Sequence, residues 1–169
     1  MVALRRLPLL LLASVACAIA APAAAVTQNA TVSANVVRPL TLVSQQNLDL
    51  GTITLSLGTW SAATVGISRA GVFSCSAKVT CTGAPQVAKY KVTGTNKMVV
   101  KITAPDVTMV NQADPTQTLT LAVDNPGQVT LTSSGEPGVT FGIGGSVTLS
   151  STTSTGNYSG TFNVTVDYQ

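Results

Sequence analysis

The residue types that most often carry out enzymatic chemistry are scarce in this chain. Histidine is absent, and no serine or cysteine lies in a recognisable nucleophile motif. A glycosidase needs two facing carboxylates, but the acidic residues are scattered, and most lie beside proline or asparagine. They are Asp49, Asp106, Asp114, Asp124, Glu136 and Asp167. We therefore expect a protein that is not an enzyme, with no catalytic residues and no cofactor.

Cys75 and Cys81 lie close together in sequence, among polar neighbours. Those neighbours argue against a pair of buried free thiols, which is the main alternative. In an oxidising compartment such a pair forms a disulfide, and closing so short a loop is worth about 2 to 2.5 kcal/mol. Two thiols without a histidine are too few ligands for a zinc site. We expect a disulfide between them and no bound metal.

The first 25 residues have the pattern of a secretory signal peptide. Arg5 and Arg6 provide a positive start, residues 7–20 form an apolar run, and the alanines at 23–25 suit a cleavage site. The apolar run is too short for a transmembrane helix. Cys17 follows a sequence only loosely like a lipoprotein cleavage box, so lipidation is the weaker alternative. We expect cleavage after residue 25, no transmembrane segment in the mature chain, and export to the periplasm, the cell surface or the medium.

Residues 26–169 are expected to form a single all-β domain. Only 9% of the chain is charged, and threonine, serine, valine and glycine fill the sequence. Two of the nine Lys/Arg residues belong to the signal peptide, so seven remain against six Asp/Glu, a net charge near +1. Nucleic-acid-binding proteins carry a concentrated basic surface, so we expect no nucleic-acid partner. Short alternating runs separated by turn residues favour an antiparallel β-sandwich.

Both ends of this domain show apolar residues at every second position. They are Val26, Ala30, Val32, Ala34 and Val36 at the start, and Phe162, Val164, Val166 and Tyr168 at the end. A period of two places each set on one face of a strand, and these strands are the candidate assembly elements. The first strand either pairs within its own domain or is donated to a neighbour; we favour pairing within the domain, because no long flexible linker separates this strand from Leu40. Arg38 and Pro39 directly after it act as a hinge or as a switch between sheets.

Two hairpins are predicted in the second half of the chain. Residues 119–131 contain two apolar runs around a five-residue loop. Residues 139–149 contain two more, around a three-residue loop from Gly144 to Ser146. In each hairpin the loop length keeps the apolar residues of both strands on one face.

A cluster of basic residues lies between positions 89 and 101. Its members are Lys89, Lys91, Lys97 and Lys101. The cluster is either a patch for an acidic polysaccharide or lipid head group, or a charged edge strand that discourages aggregation. We favour the edge strand.

Three aromatic residues could stack against a sugar. They are Trp60, Tyr90 and Tyr158. Because aromatic residues make up only 4% of the chain, we expect at least two of the three in the core or at its rim.

Three segments resemble a known family of short secreted bacterial β-proteins, the domain of unknown function DUF4402. They are VVRPLTL (residues 36–42), LDLGTI (48–53) and GNYSGTFNVTVDY (156–168). Cys75 and Cys81 are not expected to belong to the usual pattern of that family. More distantly, the layout is similar to spore-coat-U-type and chaperone–usher pilin subunits. That second likeness implies an immunoglobulin-like, pilin-like sandwich and a surface filament, without an active site.

We expect a non-enzymatic structural or adhesive protein, of the kind that forms fimbrial subunits by strand exchange. Its partners would be copies of itself or related subunits, together with a periplasmic chaperone. The alternative is a monomeric secreted module that binds carbohydrate or another cell-surface component. The two are distinguished by whether the first strand pairs at home or on a neighbour.

Overall fold

The computed structural model describes residues 26–169, so the predicted signal peptide and Cys17 lie outside the described residues. Asn35–Gln169 form one compact unit, and residues 26–34 fall outside it. The described residues contain strands and no helix. The strands are β1 (Thr41–Gln46), β2 (Thr52–Leu55), β3 (Ala63–Ile67), β4 (Phe73–Cys75), β5 (Val79–Thr82), β6 (Ala88–Thr93), β7 (Val99–Thr103), β8 (Val107–Asn111), β9 (Thr118–Asp124), β10 (Gln128–Thr130), β11 (Val139–Leu149), β12 (Tyr158–Ser159) and β13 (Thr165–Tyr168).

The strands form three antiparallel sheets arranged in two layers. The large sheet has the order β1-β6-β11-β9-β8-β12, with β3 paired to β11 and β4 paired to β3. A three-stranded sheet (β10-β7-β13) and a two-stranded sheet (β2-β5) make up the second layer. Apolar side chains of both small sheets pack against those of the large sheet. The fold is therefore an all-β antiparallel sandwich, as the sequence predicts.

The interior is divided into two apolar clusters, one beneath each small sheet. The first contains Ala88, Val92, Val100, Ile102, Ala104, Leu131, Phe141 and Ile143. The second contains Ala63, Val65, Val79, Leu121, Val147 and Leu149. Phe162 packs against both clusters and so lies where they meet. Burying each large side chain contributes about 1.5 to 3 kcal/mol, and these two clusters hold the layers together.

The second predicted hairpin is wrong, because its residues form the longest strand of the fold, β11. Val139–Leu149 form one continuous strand that pairs with β6 through its first half and with β3 through its second. Gly144 and Gly145 lie inside the strand because neighbours approach closely: a Cβ on Gly144 would contact the carbonyl oxygen of Ile67. Every odd-numbered residue from Phe141 onward is buried, which is the signature of one uninterrupted strand.

The first predicted hairpin is also wrong, for a different reason. Strand β9 belongs to the large sheet, whereas β10 pairs with β7 in the second layer. The loop between them therefore crosses from one layer to the other. The Asn125 side chain accepts the Gly127 N–H at 2.8 Å, and Gly127 has a φ of 73°. The loop bends at Gly127, but it joins layers rather than neighbouring strands.

The two ends of the domain differ in how far they follow the prediction. The strand predicted at residues 26–36 is not formed: positions 26–39 belong to no strand and are exposed. At the other end, the alternation of half-buried and exposed residues runs from Thr161 to Tyr168 as predicted. Only its last part, β13, is hydrogen-bonded as a strand, to β7.

The sequence also predicts a strand at residues 51–57, with Ile53, Leu55 and Leu57 on one face, and a short strand at residues 63–68. Both predictions are confirmed in part. Ile53 and Leu55 in β2 are half-buried on one face, as expected, and the strand predicted at residues 63–68 is β3. Leu57 was expected on the same inner face as Ile53, but its side chain is fully exposed. The reason is that β2 ends at Leu55 and the chain turns through Gly58, whose φ is 92°.

Candidate functional site

A groove of about 870 Å³ opens where the second layer leaves the large sheet uncovered. One wall is an unbroken run of residues 48–55, which includes β2. The opposite wall is a second unbroken run, residues 153–160, which includes β12. Two unbroken runs of lining residues give the groove walls of continuous backbone, which suit an extended chain.

The floor of the groove is apolar. It is formed by side chains of the large sheet, with Phe162 beside them: Met109, Leu119, Leu121, Val147 and Leu149. Met109 and Leu119 are only half-buried, so the floor presents apolar surface to the groove. Asp49 is the one charged residue among the lining residues, and its carboxylate accepts the Gly51 N–H at 2.8 Å. A neutral, apolar side chain therefore fits this floor better than a charged one.

Strand β2 forms one wall and leaves one of its edges without a strand partner. Among the described strands, β2 pairs only with β5, in register from Thr52 opposite Thr82 to Leu55 opposite Val79. An edge of this kind offers free backbone N–H and C=O groups to a further strand. The residues along this edge line the groove, so the edge and the apolar floor are neighbours.

The disulfide between Cys75 and Cys81 holds this wall to the large sheet. The predicted bond is present. Cys75 lies in β4, which pairs with β3 of the large sheet, and Cys81 lies in β5 opposite Ile53. The bond thus connects the two layers, and it fixes the small sheet that carries the groove wall.

Asn111 fixes the opposite wall, and sequence reasoning did not single it out. It is the one buried polar residue among the described residues, with 1% of its surface exposed. Its side-chain amide donates to the Thr155 carbonyl at 3.1 Å and accepts the Ala113 N–H at 2.9 Å. The side chain also contacts Gly156, where a Cβ would overlap it. The signal in the sequence is slight: an asparagine that ends an apolar strand just before a turn.

A second anchored point lies at Arg38, where the exposed segment joins the domain. The Arg38 N–H donates to the Thr95 hydroxyl at 2.7 Å. The Tyr168 hydroxyl donates to the Arg38 carbonyl at 2.7 Å and accepts the Thr95 N–H at 2.8 Å. The last strand therefore fixes the residue at which the chain leaves the sandwich. Residues 26–37, on the far side of Arg38, are exposed.

The structure separates most of the predicted assembly residues from the groove. Phe162 lines it. Val164, Val166 and Tyr168 instead pack against the first apolar cluster. Val32, Ala34 and Val36 lie in the exposed segment, and the side chains of Val32 and Val36 are 94% and 88% exposed.

The four lysines do not form one patch. Lys89 and Lys91 lie on β6, between β1 and β11 in the large sheet, whereas Lys101 lies on β7 in the second layer. The expectation of an edge strand is therefore wrong, because β6 has a partner on each side. Lys91 forms an ion pair with Glu136 at 2.8 Å, and Lys101 lies opposite Asp167.

The three aromatic residues are also dispersed. Tyr90 stacks on Phe141, with ring centroids 5.9 Å apart, and packs against the first cluster. Trp60 packs against the second cluster, so the expectation that two aromatic residues lie at the core is confirmed. The Tyr158 hydroxyl donates to the Ser154 carbonyl within the groove wall.

Within residues 26–169, no group of three His, Cys, Asp or Glu side chains is placed to hold a metal ion. The same residues include no helix of the length and apolarity that a membrane span requires. One carboxyl group is perturbed: hydrogen bonds from the Thr116 hydroxyl and backbone N–H lower the pKa of Asp114. Asp114 lies in the exposed turn between β8 and β9, away from the groove lining.

The sandwich fold, the disulfide and the groove define a small all-β domain. The chain belongs to the family described as domain of unknown function DUF4402, whose model matches residues 40–168. The match begins just after Arg38 and Pro39, so residues 26–39 precede the matched domain. Comparisons with curated proteins and with solved structures give no significant match.

Proposed function

We propose that this protein is an exported, non-enzymatic structural subunit that assembles with other copies by strand exchange. The observation that carries the proposal is the segment at residues 26–37, which has the side-chain pattern of a strand but belongs to none. Its apolar residues are exposed, with Val26 at 82% and Val32 at 94%. Exposed apolar residues at strand spacing favour pairing with another chain.

Export supports the same function. The predicted signal peptide directs the chain out of the cytoplasm, and the bond between Cys75 and Cys81 suits an oxidising compartment. A fold stabilised by a disulfide and by neutral sheets, with few charged residues, is typical of proteins that work outside the cell. We place the protein in the periplasm, on the cell surface or in the medium, with a periplasmic chaperone as a further partner.

The alternative function, a monomeric carbohydrate-binding module, has less support. Such a module needs aromatic rings arranged on one exposed surface. Trp60 and Tyr90 pack against different apolar clusters, and Tyr158 lies in a groove wall. A groove with an apolar floor is also a poor match for a sugar, because sugar hydroxyl groups need polar partners.

Deletion of residues 26–37 from the exported protein tests the proposal. We expect the wild-type protein to form a concentration-dependent series of oligomers in sedimentation velocity. The deleted protein should remain folded, with an unchanged near-ultraviolet circular dichroism spectrum, and should sediment as a monomer.

A matched pair of triple variants tests whether oligomers require the alternating apolar residues of the segment, and not only its presence. Val32→Ser, Ala34→Ser and Val36→Ser together should abolish the oligomers. Thr31→Ala, Ser33→Ala and Asn35→Ala, on the opposite face of the same strand, should preserve them. A wild-type protein that stays monomeric at all concentrations would refute the proposal.

A further inference from the structure

We infer that the groove between residues 48–55 and 153–160 is the acceptor site, and that residues 26–36 of a second copy of this chain occupy it. The inference rests on the proposed strand exchange and adds where the exchanged strand binds. The groove combines, in one place, a free strand edge, an apolar floor and walls of continuous backbone.

The free edge of β2 specifies an extended chain as the occupant. A strand laid along residues 49–55 would take up the backbone groups that β2 does not share with β5. It would also add a strand to the second layer, above the part of the large sheet that the small sheets leave open. A compact ligand would leave this edge unpaired.

The side chains of residues 26–36 fit the floor in size and in charge. Small apolar residues alternate along the segment, apart from Gln28, and a strand places them all on one face. The segment from Val26 to Val37 contains no charged residue. The floor is formed by Met109, Leu119 and their large-sheet neighbours, which are apolar and partly exposed. Covering them removes apolar surface from both chains.

The two ends of the sandwich explain why the occupant comes from a second copy. Arg38 is bound to Thr95, close to the start of β11, since Val92 pairs with Val139. The groove floor contains Val147 and Leu149, at the end of β11. The eight to ten residues between these points correspond to roughly 30 Å of strand. Residues 26–37 span only about 40 Å when fully extended, so a segment folded back on its own domain would place about three residues in the groove.

A donor segment and an acceptor groove that are different surfaces of one copy produce a head-to-tail interface. Such an interface joins different surfaces on the two copies, and it does not close on itself unless the rotation between copies permits a ring. Each copy fills the groove of the next, so the assembly grows in one direction. The expected product is a linear polymer of this chain.

Site-specific photo-crosslinking tests the location. The photoreactive residue p-benzoylphenylalanine replaces Val32 in the exported protein, and in a parallel protein it replaces Ser33, on the opposite face of the strand. Each protein is mixed with an isotopically heavy copy, irradiated and digested, and the adducts are mapped by mass spectrometry. We expect Val32 to yield light–heavy adducts with the groove residues, above all Met109 and Leu119, and Ser33 to yield severalfold fewer.

The outcomes separate the location from the proposed function. Oligomers whose Val32 adducts map to another surface, such as the free edge of β13, would overturn the acceptor site and leave strand exchange intact. Adducts to the groove within a single copy would overturn the role of the second copy. Absence of both oligomers and adducts would overturn the proposed function and the acceptor site together.

Discussion

Tyr168 fixes the point at which the exposed segment leaves the domain. Its hydroxyl links Arg38 and Thr95 across the end of the sandwich. We predict that Tyr168→Phe lowers the free energy of unfolding by about 1 to 2 kcal/mol, because the Thr95 N–H loses its acceptor. Urea melts measure the loss.

Tyr90→Phe is the control for this substitution. Among the described residues the Tyr90 hydroxyl has no hydrogen-bond partner, although its ring packs against the core as that of Tyr168 does. Tyr90→Phe should leave the free energy of unfolding within about 0.5 kcal/mol of the wild-type value. Equal losses in the two variants would show that the Tyr168 hydroxyl has no special role.

A second prediction at this scale concerns the faces of the last strand. Val164 packs against the first cluster, whereas Thr165 is exposed. Val164→Asp should lower the free energy of unfolding by about 2 to 4 kcal/mol, because it places an unpaired charge against apolar side chains. Thr165→Asp should be nearly neutral. Comparable urea midpoints for the two variants would contradict the face assignment.

At the scale of the element, β11 determines which residues reach the core. Inserting one glycine between Gly144 and Gly145 would move Val147 and Leu149 to the opposite face, because the side-chain period of a strand is two. We predict that this insertion prevents folding, measured as loss of the cooperative thermal transition.

The control insertion lies in an exposed turn. One glycine placed after Gly58, which has no neighbouring atoms within 4 Å of a Cβ position, should be tolerated. If the insertion inside β11 folds as well as this control, residues 144 and 145 form a turn after all, as a hairpin requires.

The disulfide gives an element-scale prediction of its own. It holds β5, and through β5 the groove wall β2, to the large sheet. Replacing both Cys75 and Cys81 by serine should cost about 2 to 2.5 kcal/mol of stability. It should also weaken oligomer formation, because one wall of the groove is no longer fixed. Urea melts and sedimentation velocity on the same samples measure the two effects; an unchanged melt would contradict the structural role of the bond.

The class of the fold and the faces of most strands follow from sequence alone. Alternation predicts which residues of β2, β3 and β6 point inward, since a strand exposes its two faces in turn. Pairing does not follow in the same way. Gly144 and Gly145 suggest a turn, yet the same residues are required where Ile67 approaches the strand. Parity does not distinguish the two cases, because a three-residue loop and a continuous strand both place Phe141, Ile143 and Val147 on one face; the pairing of β11 with β6 and then with β3 decides it.

The groove could not be predicted from the sequence. Its walls and floor come from segments far apart in the chain, and they meet through the pairing of β8, β9, β11 and β12 in one sheet and of β2 with β5 in another. Phe162 is the single predicted assembly residue that lines it. The donor segment was visible as an alternating pattern, but its pairing depends on partners that no local pattern specifies.

At the scale of the whole molecule, the attachment point of the donor segment and the acceptor groove are different surfaces of the domain. The exposed segment joins the domain at Arg38, and the groove lies beside the end of β11. This polarity predicts a linear assembly in which the terminal copy keeps an empty groove. A mixture of wild type with the protein that lacks residues 26–37 should therefore shorten the oligomers, because the deleted copies accept a strand but donate none.

The measurement that tests strand donation most directly is the stability of the domain that lacks residues 26–37, with and without a synthetic peptide of that sequence. We expect the peptide to raise the midpoint of thermal unfolding, and the rise should continue with the logarithm of peptide concentration above the dissociation constant. At one hundred times that constant the gain in the free energy of unfolding is about 2.7 kcal/mol. A peptide with Val32, Ala34 and Val36 replaced by serine should have no effect. A midpoint that neither peptide changes, or that both change equally, would contradict donation of this strand.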